Sequence, residues 1–132
     1  VTLRDHGGVY WVPAPYAETV RRLQGAIEKV GSSRVYLLPV HASADANRTL
    51  GDAAKLAIED ELAALKAEVE GFLASPPDRP STLARRLDAF EGLQARANLY
   101  RDVLHVHVAD LETTLAGLAE SIAKLLNEKA AA

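Results

Sequence analysis

The sharpest chemistry in this sequence is the histidine pair in Leu104-His105-Val106-His107-Val108, the one place where imidazoles cluster. The apolar/polar alternation has the period of a strand, which would line both rings on one face, as a metal site requires. In a helix the two residues lie about 200° apart and cannot chelate one ion together. Asp102 with His105, and His107 with Asp110, keep a helical spacing of three that chance often produces, so a metal site needs His6 or His41 to converge on them. The wider pattern favours the helix, because every seventh residue is apolar: Leu83, Phe90, Ala97, Leu104, Leu111, Leu118 and Leu125. His105 and His107 then border two helical faces, and no metal or other cofactor is expected.

Other catalytic patterns are weaker. His6-Gly7-Gly8 precedes an apolar run, whereas phosphate-cradling glycines follow a strand and open a helix, so it reads as a lead-in. No serine or threonine can be tied to a histidine and a carboxylate, and no nucleophile-elbow, zincin or Walker pattern occurs. The absence of cysteine excludes disulfides and thiolate chemistry. A non-enzymatic protein is expected.

A basic group, Arg79, Arg85, Arg86 and Arg96, offers phosphate contacts and supports nucleic-acid association as the alternative. A net charge of -3, acidic neighbours and the lack of interleaved aromatics stand against it.

These residues need elements to position them. The 132 residues, 48% hydrophobic and 25% charged, fit one domain spanning 1–132, with a 1–41 β-α-β unit and a 42–132 helical hairpin. Gly8 to Pro13 ("GVYWVP") and Arg34 to Pro39 ("RVYLLP") are β-branched and aromatic runs that prolines end, and each reads as a short strand. Between them Tyr16, Val20, Leu23, Ile27 and Val30 recur at helical spacing before Gly31. From Leu50 to Leu73 the seam Ile58, Leu62, Leu65, Val69 and Phe72 predicts a helix capped by Ser43, Asp45 or Asn47. The prolines of Ser75 to Ser81 turn the chain, and Ser81 or Thr82 caps the next helix.

That next helix is predicted to continue for nearly fifty residues, with a break between 106 and 112 as the alternative. Asn47 to Ala74 holds three basic against six acidic residues, and Arg79 to Arg101 five against two, which selects an antiparallel hairpin. About twenty residues then overhang the first helix, with Leu118, Ile122 and Leu125 on a bare seam. Leu99, Val103 and Val106 form a second stripe on the side away from the seam, while Leu93 and Tyr100 widen the seam's flank. With Leu93 set aside, these seven are the expected interaction residues.

The order "VYWVP", helix, "VYLLP" and long Ala/Leu helices looks like a family of actinobacterial and phage proteins of unknown function. The resemblance implies no activity and no site residues. The expected fold class is α+β, mostly helical: a strand-helix-strand unit, then a long antiparallel helical hairpin resembling a coiled coil. The expected function is assembly or protein interaction, with self-association through sheet edges and long helices, as part of a larger protein, since the chain opens on Val1 and lacks methionine. The expected partner is a second copy, as a dimer, or another region of the parent. A cytoplasmic location and no membrane contact are expected, because no apolar run approaches the roughly 20 residues that span a bilayer.

Overall fold

The computed structural model describes residues 8–131. Among them are a 3-10 turn, Ala14–Tyr16, and four α-helices: α1 (Ala17–Val30), α2 (Ala44–Ala74), α3 (Pro80–Leu104) and α4 (Leu111–Ala131). The chain divides into two compact units, residues 1–53 and 54–132.

In the first unit the expected strands do not form, which replaces the α+β class with an all-helical one. Among the described residues only Tyr10 has a bridge, and residues 34–40 lack regular structure. Side chains capture the backbone that a sheet would have used. Gln24 Nε2 donates to the Val35 carbonyl at 2.7 Å, and the Val35 N–H donates to Glu28 Oε1 at 3.3 Å. With that residue engaged by α1, β propensity finds no second strand to satisfy it. At the other run, Pro13 leads into the 3-10 turn, whose Tyr16 N–H donates to the Pro13 carbonyl at 3.0 Å. Ser43 starts α2: its Oγ accepts from the Ala46 N–H at 3.0 Å.

In the second unit, α2 and α3 are bridged by Arg86 to Glu68 (Nε–Oε2, 3.1 Å) and Arg96 to Glu61. The residue numbers rise along one helix as they fall along the other, so the two run antiparallel. The prolines do more than turn the chain. Pro80 is the first residue of α3, where its fixed φ suits the helix and its missing N–H costs nothing; neither Ser81 nor Thr82 is the cap.

The fifty-residue helix gives way to its alternative, a break, which falls at residues 105–110. α3 stops at Leu104, and His105 adopts the left-handed conformation (φ 57°, ψ 30°) with its N–H donating to the Arg101 carbonyl at 3.0 Å. This is the αL form of helix ending, made without glycine. Asp110 is also left-handed (φ 59°), and its carbonyl accepts from Thr114 N–H at 2.8 Å as α4 begins. Residues 105–110 therefore turn the chain, and α4 packs on α3.

The heptad register survives the break. Leu111, Leu115, Ile122 and Leu125 are buried with Leu83, Phe90 and Leu104, so the expected overhang has a cover within its own unit. The second row on α3 is Leu93 and Tyr100, one residue before the half-buried Gln94 and the exposed Arg101. Ile58, Val69, Leu83, Leu93 and Ile122 are the largest fully enclosed side chains, and each contributes about 1.5–3 kcal/mol by leaving water.

Candidate interaction surface

The seven expected interaction residues divide between the core and its margin. Tyr100, Ile122 and Leu125 are buried, while Leu99, Val103, Val106 and Leu118 are half-buried. Burial and the surrounding apolar core hold the Tyr100 phenol above the usual 10.0; the nearby Arg96 lowers it and Glu61 raises it by lesser amounts.

The motif Leu104 to Val108 does alternate, though it is neither a strand nor a stretch of continuous helix. Leu104 is buried, Val106 and Val108 are half-buried, and His105 and His107 are exposed, because this is the turn between two helices. Among the described residues no group of three histidines, aspartates or glutamates could hold a metal ion; His6 lies outside them. The turn borders a cleft of about 210 Å³ that Gln94, Asn98, Arg101, His107, Asp110 and Glu112 help to line. Within the lining Gln94 Nε2 donates to Asn98 Oδ1 at 3.0 Å, and Arg101 Nε lies 3.5 Å from Oδ1 of Asp102, outside it.

Two of the four candidate phosphate contacts have acidic partners, Arg86 with Glu68 and Arg96 with Glu61. The Arg86 Nε is enclosed and lacks a well-aligned hydrogen bond despite its short distance to the carboxylate. Arg79 and Arg85 are exposed.

The surface that sequence reasoning passed over lies in the first unit. Of the thirteen large hydrophobic side chains exposed among the described residues, eleven fall between Val9 and Val40, which locates the unsatisfied apolar surface. α1 buries none of its residues: Leu23 and Val30 are 57% and 89% exposed. Tyr36 and Leu38, beyond the clamp at Val35, are 83% and 84% exposed. At roughly 150–200 Å² for a large side chain in water, the eleven leave on the order of 1,000 Å² uncovered. The largest apolar patch on a monomer is usually about 300–600 Å². The signal is present in the amphipathic spacing from Tyr16 to Val30.

A family model described as a family of unknown function (DUF6744) matches residues 1–131. The chain belongs to that family. The match bears on the family and not on an actinobacterial or phage source. Among the curated proteins and the solved structures compared, none matches this member of the family. No helix among its described residues is long and apolar enough to cross a membrane.

Proposed function

We propose that this chain is a protein-interaction module that works by binding and not by catalysis. The observation that carries the reading is the contrast between its units. Residues 54–131 close a core of leucine, isoleucine, valine and phenylalanine over α2, α3 and α4, whereas α1 and residues 36–40 leave comparable side chains in water. Eleven exposed large apolar side chains gathered in one unit exceed the singly scattered residues of an ordinary surface and support a contact site there. The self-association expected from sheet edges has no sheet to use, and the seam of α4 is already covered, so the adhesive part is the N-terminal unit.

Photo-crosslinking in the native cell tests this reading. A benzophenone side chain placed at Leu23 or Leu38 is expected to give discrete protein adducts, while the same group at Ala63 or Ala116, both exposed in the second unit, gives none. Absence of adducts at Leu23 and Leu38, or equal adducts at all four, would overturn it.

A further inference from the structure

Resting on that reading, we infer that the occupant of the α1 face is α1 of a second copy, forming a parallel two-stranded pair. The seam is spaced as a coiled coil, with Val20 and Ile27 at the first core position of the heptad and Leu23 and Val30 at the second. β-branched residues at the first position with leucine at the second favour two parallel strands over three or four. Val30 departs from leucine only in the last turn.

The flanks exclude the usual means of recognising a different, charged partner. Residues beside a coiled-coil seam choose partners by charge, and here they are Ala17, Thr19, Gln24 and Ala26, none of them charged. All the charges of α1, namely Glu18, Arg21, Arg22, Glu28 and Lys29, fall on the remaining positions, where Glu18 and Arg22 pair with each other. A copy of the same helix meets no like charge across this seam. One flank is occupied, since Gln24 holds the Val35 carbonyl; the other, Thr19 and Ala26, is exposed and small enough for close approach.

Area agrees with a pair. The seam from Val20 to Val30 covers about 15 Å of helix, too short to associate strongly alone. The clamp ties Val35 to α1, and with the exposed Tyr36, Leu38 and Val40 that follow it the uncovered surface reaches the roughly 800 Å² per partner of a specific interface. The pair is therefore expected to form in the micromolar range rather than the nanomolar.

Sedimentation equilibrium of the purified chain between about 5 µM and about 1 mM tests the inference. The mass should rise from one chain to two. Leu23→Glu with Ile27→Glu should weaken association at least tenfold while circular dichroism keeps the helical signal, and Leu56→Glu, exposed in the second unit, should not. A second arm stands if the glutamates unfold α1: because the chain has no cysteine, Val30→Cys introduces its only thiol, and mild oxidation should link two copies. A single-chain mass at every concentration, a mass of three or more chains, wild-type association by the double variant at native helicity, or failure of Val30→Cys to crosslink would each overturn the pair. Adducts of Leu23 with a different protein alongside a single-chain mass would overturn the pair and leave the interaction reading standing.

Discussion

Replacing Ile122 with alanine tests whether the turn at 105–110 gives α4 its cover. Ile122 is fully enclosed, and the helix against which α4 packs is α3 of the same chain. Removing its three outer carbons costs the transfer of those groups plus the void left behind, about 3 kcal/mol within a usual span of roughly 2–5. Against a typical total of about 5–15 kcal/mol this is a large fraction. With a urea slope of about 2 kcal/mol/M, the midpoint should fall by about 1.5 M. Because the cover is intramolecular, the fall should be the same at micromolar and at hundred-micromolar protein. An uninterrupted helix would need a second chain over this residue, and its loss would then vary with concentration by mass action. A fall of less than about 0.5 M, or one that changes with protein concentration, would refute the helical turn-back.

Gly92 and Gly117 are helical and meet nothing within 4 Å of an added Cβ, so Gly92→Ala and Gly117→Ala should each stabilise by about 0.5–1 kcal/mol, read as a higher urea midpoint. The Arg96–Glu61 pair is substantially exposed, and a double-mutant cycle with alanine at both positions should give a coupling below about 1 kcal/mol that shrinks in high salt. Tyr100 titrates higher in the folded chain than in the unfolded one, chiefly through burial. Its contribution is therefore complete below the ordinary phenol range and is lost as pH rises through the folded value. Urea midpoints should fall above about pH 10, less steeply in Tyr100→Phe.

The helices were legible because their signals are local and redundant. Ile58, Leu65 and Val69 keep helical spacing across α2, and opposite charge at Glu68 and Arg86 accompanies it. The end of α3 was legible only as the alternative break between 106 and 112, since no glycine marks the left-handed His105 or Asp110 and Leu111 resumes the same heptad beyond them. A repeat of seven is indifferent to whether the chain continues or reverses, provided the register is kept. The strands failed for another reason: Val9 to Val12 and Val35 to Leu38 have the composition of strands, but pairing is not encoded in either alone. Gln24 and Glu28, read only as polar helix positions, supplied the competing hydrogen bonds to Val35. For the site, the apolar spacing of α1 was visible, while its exposure is a matter of tertiary packing that spacing alone does not encode.

The ordering of the second unit also sets how it folds. α3 joins α2, to which two ion pairs bridge it, through residues 75–79, and α4, on which it packs, through 105–110, so both pairings lie between neighbours in sequence and little loop-closure entropy opposes either. Such local topology belongs to the microsecond-to-millisecond class of folding rates. As the helix shared by both pairings, α3 is the natural nucleus: truncating Leu93 should chiefly slow folding, whereas truncating Ile122 should chiefly hasten unfolding.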